Sequence, residues 1–412
     1  MNRPDIHNKL HYVLGLLIAF TMPFAKFTPL FIGLLFVNWL VEGRFRQKLK
    51  NIASSKLALT FIAFYILHLI GLMYTTNTDA GWFDMEVKLS LIIFPIVIAG
   101  KPYHKKQLDH LFIALIIGLV YSSLYMLSRS VSLYLMNGQN TFFYQEFSTF
   151  IHTSYISMYM NVALCWLLIS TLKKVNDQYF STFVSVLLMV FFGFMIFMLS
   201  AKSGILTLLL IAFGLIVYYV FYRRKYLVGA LGFVLVISGF FTIDHFVPGV
   251  HNRIGNFLKA LTDKNDNETV NSTANRLLIW QSSNQVIKNN FIAGVGTGDV
   301  KEALCNEYEV RGMENALIHQ LNAHNEFYQV FIALGVIGFL LLCLCLLYPF
   351  INTFKTGKLL YRIFLAIIMI NFFSESMLET KAGVMFYAFF NALLCFVDQQ
   401  EKEPFKSLYI KQ

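Results

Sequence analysis

Apolar runs recur along this chain from His11 to Val397, and one long hydrophilic stretch, 244–321, interrupts them. Hydrophobic residues fill 57% of the 412 positions and charged residues only 14%, more apolar surface than one soluble core of this length would need. Helices of roughly 17–25 apolar residues span hydrocarbon, whereas barrel strands are shorter and alternate in polarity, and no segment here alternates in that way. In lipid every backbone polar group needs an internal partner, so the runs read as helices. The expected fold is all-α: a polytopic helical membrane protein of about twelve spans, near 11–24, 28–41, 57–73, 88–100, 110–128, 153–171, 181–199, 204–222, 226–243, 323–348, 359–378 and 382–397. The first and fourth of these are short.

Lys and Arg in short loops favour the cytoplasmic side, and this orients the bundle. With the N-terminus inside, the inner loops carry Arg44, Arg46, Lys48, Lys50 and Lys56, then Lys101, Lys105 and Lys106, then Lys173 and Lys174. Further on they carry Arg223, Arg224 and Lys225, then Lys355, Lys358 and Arg362, and the tail adds Lys402, Lys406 and Lys411. Topology thus accounts for most of the net charge of +10, and no nucleic-acid partner is implied. Lys88, Arg129, Lys202, Arg276 and Lys381 fall outside, against the bias. Converging on one cavity, several of them would form an anion site; scattered, they would simply be solvated.

Cys165, Cys343, Cys345 and Cys395 lie in expected spans and Cys305 alone in the outer stretch, so no pair suits a disulfide or a metal cluster. The polar start, Met1 to Lys9, leads straight into the first span without a small-residue cleavage site, so that span is expected to serve as its own insertion signal. No internal repeat stands out, which counts against an inverted-repeat transporter.

Within the outer stretch, 253–261 has helical spacing and 262–273 is a polar run read as an exposed turn, whose two glycosylation-like triplets at Asn267 and Asn271 are coincidental in so Asn-rich a segment. Residues 275–290 place Leu278, Ile279, Val286 and Ile287 as an amphipathic helix suited to a membrane surface, with Arg276 and Trp280 four apart on one face. Gly294, Gly296 and Gly298 then alternate before Asp299, the expected N-cap of a helix over 300–308. Alternating glycines let backbone amides approach an anion, but no strand precedes them and no Lys-Ser/Thr follows. That excludes an ATP loop and favours a tight turn.

His324 stands at the outer mouth of a span on the face of Tyr328, where a neutral imidazole could take a proton from a hydroxyl. A lone interfacial His is more often structural. Here Arg276, Lys202, His152 and Glu375 all reach the same side. His319 and His324, five apart, fit one helical face poorly, and no metal site is expected.

Arg276-x-x-x-Trp280, then Ile292-x-Gly294-Val295-Gly296-Thr297-Gly298-Asp299, then Ala323-His324-Asn325-Glu326-x-x-Gln329, then Gly335-Val336-Ile337-Gly338 resemble in order and spacing the signature of the O-antigen ligase and O-antigen polymerase superfamily. His152-Thr153-Ser154-Tyr155, the segment from Leu199 to Gly204, and that from Glu375 to Gly383 extend the resemblance to about half the chain. It departs from the family pattern at Ala201-Lys202, where Arg commonly follows Ser.

The resemblance implies a GT-C-like glycosyltransferase of the bacterial inner membrane, metal-independent, inverting and without a cofactor. Its active site would face the periplasm and both termini the cytoplasm. The donor would be a glycan on undecaprenyl diphosphate and the acceptor a sugar hydroxyl of lipid A core or of another lipid-linked glycan. Carried over, His324 is the catalytic base, and Arg276, Lys202 and, more weakly, Lys88 hold the diphosphate. His152, Trp280, Gly296, Asn325 and Glu375 are secondary substrate-binding positions. Lysine at 202 keeps the charge but not the bidentate fork of arginine.

The expected units are a transmembrane bundle over 1–243, a periplasmic loop with amphipathic helices over 244–321, C-terminal spans over 322–397 and a cytoplasmic tail over 398–412. A ligase, a polymerase and a protein O-glycosylating enzyme share these motifs, the single large outer loop before His324 leaning towards the ligase. A lipid-linked glycan transporter would carry ionisable residues within several spans, where mid-span charge is scarce here.

Overall fold

Every regular element in the computed structural model is helical among the residues it describes, which are 3–173, 179–222, 224–227, 230 and 272–397. Most of the expected span 226–243, the 253–261 helix, Asn267 and Asn271 of the two triplets, and the tail lie outside the described residues. Five helices are long and apolar enough to cross a membrane: Lys105–Asn137, Thr153–Lys173, Thr182–Leu199, Lys202–Val217 with its continuation through Phe221, and Glu326–Thr356. A sixth forms if Phe45–Ser54 and Lys56–Leu72, bent by 90°, count as one broken span. Thr28–Glu42, Leu359–Ser374 and Lys381–Phe396 are shorter apolar helices. The chain is a membrane protein.

Lys381–Phe396 is the axis of the core: every residue from Ala382 to Leu394 is buried. It packs against Ser90–Gly100, Leu359–Ser374 and Thr153–Lys173. Phe386 stacks on Tyr159 at 3.9 Å, and the Tyr159 hydroxyl donates to the Ala382 carbonyl. Small residues at Ala382, Gly383 and Ala388 permit this approach without a polar driving force, the usual solution in lipid. A Cβ on Gly383 would collide with the Met377 carbonyl, so the axis and the loop before it are fitted to each other.

Two helices replace expected loops. Phe45–Ser54 carries the basic run, with Lys48 buried and paired to Glu42 at 2.9 Å, while Thr78–Lys88 starts at Asn77, whose side chain caps the Ala80 amide. Their charge density reads as loop, but Ile52 and Met85 each give the helix one buried face.

The hydrophilic stretch, from Ser272 onward, forms a small domain of its own. Ser272–Asn289, Val300–Val310 and Glu314–Ile318 gather around Ile279, Val286, Leu304, Tyr308 and Met313, and close onto Ile332 and Leu334 of the following span. The amphipathic face expected to lie on lipid is therefore buried in protein, because two further helices supply it with apolar partners.

The glycine turn joins this domain to that span. At Gly335 the Glu326–Thr356 helix breaks, with φ 63° and ψ −161°, and the Ile332 and Ala333 carbonyls lose their helical donors. The Val295 and Gly296 amides replace them at 2.8 and 3.0 Å, and Val336 donates instead to Phe291 at 2.9 Å. Unpaired, each such group would cost several kcal/mol in lipid. Glycine is needed at 335 because of its positive φ and because a Cβ there would collide with the Ile292 carbonyl. Gly335→Ala should therefore destabilise the protein by roughly 1–3 kcal/mol or more, seen as a lower melting temperature in detergent, whereas Gly193→Ala, with open space around its Cβ, should not.

Candidate functional site

Glu375 follows Leu359–Ser374 in extended conformation and joins three elements through its carboxylate. Its Oε1 accepts from Arg276 Nη2 at 2.7 Å, and its Oε2 lies 3.3 Å from His324 Nδ1. Ser154 Oγ stands 3.5 Å from Oε1. Burial alone would raise this carboxyl, but the hydrogen bond from His324 and the charges of Arg276, His324 and His152 outweigh it and hold it below the ordinary carboxylate range. Glu375 is thus ionised at neutral pH. With Nδ1 donating to this carboxylate, the neutral form of the His324 ring carries its lone pair on Nε2.

The positions of these groups are well supported. His324 sits in left-handed conformation, φ 45°, its amide donating to Asn322 Oδ1 at 3.0 Å. Asn325 caps Glu326–Thr356 by accepting from the Phe327 and Tyr328 amides. Its own amide donates to Ser376 Oγ and its Nδ2 to the Phe373 carbonyl, which fixes the Glu375 loop against the His324 helix. Trp280 Nε1 donates to the Ala323 carbonyl at 3.0 Å while its ring stacks on Tyr328. Asn325 and Trp280 therefore both anchor the backbone beside His324.

His152 lies in the same field, its Nδ1 accepting from the Ser154 amide and its Nε2 2.9 Å from Gln145 Nε2. Burial pulls this imidazole below its usual value, with Glu375 opposing. Lys202 is exposed in the first turn of Lys202–Val217, which packs closely on the His152 helix: a Cβ on Gly204 would collide with Ser157 Oγ, and Asn161 Nδ2 donates to the Gly204 carbonyl. Lys202 is thus at the His152 end of the bundle.

Two expected site residues are engaged elsewhere. Lys88 is 2% exposed and pairs with Asp84, four residues back, and with Glu379 at 2.9 Å, so two carboxylates already neutralise it. Gly296 spends its amide on Ala333 and packs against Thr75 and Gly71, which leaves no donor there for an anion. Of the other outward cations, Arg129 donates to the Glu146 carbonyl and Lys381 pairs with Glu86. Arg276 instead pairs with Glu375, whose other carboxylate oxygen meets His324.

Asp299 also differs from expectation. Its side chain makes no cap bond to its own helix; it accepts from the Thr76 amide at 2.7 Å, the Asn77 amide at 2.8 Å and Thr76 Oγ1 at 2.9 Å. Although partial burial would raise it, these donors hold the Asp299 carboxyl below its usual value. A depressed folded-state value means stabilisation that is present above the ordinary carboxylate pKa and lost as pH falls through the folded one. Asp299→Asn should therefore melt about 1 kcal/mol earlier at pH 7, and the gap from wild type should close on acidification.

One contributor was hidden in the sequence. Glu326 sits inside the quoted motif, yet its role lies in space: wholly buried, it accepts the Leu378 amide at 2.7 Å and so ties the far side of the Glu375 loop. A carboxylate opening a long apolar span is the signal that could have marked it.

The fold and this cluster define a multi-spanning membrane protein that holds an imidazole, a carboxylate and a guanidinium together at one end of its bundle. Residues 187–343 match the O-antigen ligase family, and the chain contains a domain of that family. An uncharacterised protein of Haemophilus influenzae is 24% identical over 243 residues, covering 54% of this chain and 58% of that protein, so the match spans less than two thirds of the relative's length. Arg276, Lys202 and His324 lie within 187–343; Glu375 and His152 lie outside it, and the geometry brings them to the same cluster.

Proposed function

We propose that the chain is a glycosyltransferase of the O-antigen ligase type, moving a glycan from undecaprenyl diphosphate to a sugar hydroxyl of lipid A core. The observation that carries this reading is the Arg276–Glu375–His324 cluster, 2.7 and 3.3 Å across its two contacts, with Arg276 and His324 inside the matched stretch 187–343 and Glu375 beyond it. The twelve-span topology, with both termini cytoplasmic and the His324 end periplasmic, is part of the same proposal.

His324 Nε2 takes the proton of the acceptor hydroxyl, whose oxygen attacks the anomeric carbon from the face opposite the diphosphate. The carbon–oxygen bond to the diphosphate breaks with inversion, and its electron pair leaves on the diphosphate oxygens. Arg276 and Lys202 stabilise that charge. Glu375 holds the imidazole in the competent tautomer and stabilises the imidazolium that forms. The diphosphate ester is already activated, so no ATP enters the step.

The test is the envelope polysaccharide profile of a deletion strain complemented with wild type or His324→Ala. Loss of polymer from lipid A core with accumulation of lipid-linked polymer supports the ligase. Single repeats left on the core point to a polymerase, and full rescue by His324→Ala points to transport or a structural role.

A further inference from the structure

At the end of the bundle away from His324, a cavity of about 500 Å³ opens between helix ends. Three helices connect it to the site just described. Thr153–Lys173 starts beside His152 and lines the cavity with Trp166 and Thr171; Leu359–Ser374 starts at the cavity and ends at Glu375; Lys381–Phe396 leaves the Glu379 loop and returns to it at Leu394. Sixteen helical residues rise about 24 Å, most of the thickness of a hydrocarbon layer. The cavity and the His324 cluster are therefore at opposite membrane faces.

Lys105, Lys106 and Lys358 line this cavity against one carboxylate, Asp109, which accepts from Trp166 Nε1 at 3.2 Å. Lys358 is held in the wall by donating to the Leu394 and Cys395 carbonyls at 3.3 and 2.7 Å. Lys105 and Lys106 open the Lys105–Asn137 helix, and Lys358 is the N-cap of Leu359–Ser374. Cations at helix N-termini are disfavoured by the macrodipole, so helix stability does not account for them. A basic inner face accounts for lysines on this side, but not for three around one cavity. Beyond them the wall is apolar and aromatic, with Trp166, Tyr361, Leu108 and Leu394.

We propose that this cavity binds an anionic phospholipid, its phosphate on Lys105, Lys106 and Lys358 and the head of its acyl chain on the Trp166 and Tyr361 wall. A lysine cluster over an apolar wall at the end of membrane helices suits a charged headgroup with a hydrocarbon body rather than a free anion. The assignment does not depend on the reaction proposed for the opposite face.

The experiment is native mass spectrometry of the purified full chain in mixed micelles containing phosphatidylglycerol or phosphatidylcholine. Wild type should retain phosphatidylglycerol selectively. The Lys105→Gln/Lys106→Gln variant, altered only at exposed positions, should lose that selectivity by roughly tenfold or more at an unchanged melting temperature. Arg46→Gln/Lys50→Gln removes the same charge from exposed positions of Phe45–Ser54, which meets the bundle at Gly100, and should retain the lipid. Equal retention of both lipids by wild type, or equal loss in the two variants, would overturn the site. Displacement by inorganic phosphate at matched headgroup concentration would show a soluble-anion site and overturn the lipid assignment.

Discussion

On the proposed function, replacing His324 with Ala should lower glycosyl transfer by about 10²–10⁴-fold, the usual contribution of a positioned general base, while the protein still inserts and melts as wild type does. The loss is confined to chemistry because the backbone at 324 is held by groups that the substitution leaves in place. The His324 amide still donates to Asn322, Asn325 still caps the helix and ties it to Ser376, and Trp280 still holds Ala323. Donor retention should change little, since the imidazole is assigned to the acceptor. Steady-state transfer by purified variants over a donor series checks this. A loss carried by KM with kcat intact would move His324 from proton transfer to substrate binding.

On the same proposal, Arg276→Ala should lower transfer by about 10²–10³-fold, on the scale seen when a fixed donor to a developing oxyanion is removed. It would act twice, because Arg276 is proposed to face the leaving group and it pairs with Glu375 at 2.7 Å. Without it the Glu375 carboxylate loses its guanidinium partner and keeps only the contact with His324 Nδ1 among the two. Arg276→Lys keeps the charge but loses the planar fork, so it should recover only part of the rate. A lysine as active as arginine would show that charge alone is used there. Transfer rates of the two variants, measured beside each other, decide between these.

Much of the helical frame could be read from hydropathy. The runs at 28–41, 57–73, 153–171 and 382–397 become Thr28–Glu42, Lys56–Leu72, Thr153–Lys173 and Lys381–Phe396 with ends shifted by a residue or two. Lys105–Asn137 outruns its expected 110–128 because hydropathy loses the signal among Ser128, Arg129 and Ser130, which continue the helix. Phe45–Ser54 and Thr78–Lys88 were hidden for the same reason, their charges masking one buried face. The twelve-span count goes beyond the five or six spans that length and composition support among the described residues.

At the site, motif order brought out His324, Arg276 and Glu375 individually, but no spacing joins positions 276, 324 and 375. The Glu375 loop meets His324 through Asn325–Ser376 and Glu326–Leu378 contacts, which link residues about fifty positions apart. Lys88 stands four residues after Asp84, the spacing of a helical ion pair, but the charge around them hides the Thr78–Lys88 helix from hydropathy. The glycines at 294 and 296 read as a tight turn, and the break at Gly335, some forty residues on, shows where the Val295 and Gly296 amides go.

The central claim is that His324, supported by Glu375 and Arg276, transfers a glycan off a polyprenyl diphosphate. Its most direct measurement uses the purified chain reconstituted with undecaprenyl diphosphate-linked glycan and lipid A core, following glycolipid product and released undecaprenyl diphosphate together. The account predicts equal amounts of both from wild type and about 10²–10⁴-fold slower formation of both by His324→Ala. Product formation by His324→Ala at the wild-type rate, or no turnover of the donor by a folded wild-type chain, would contradict it.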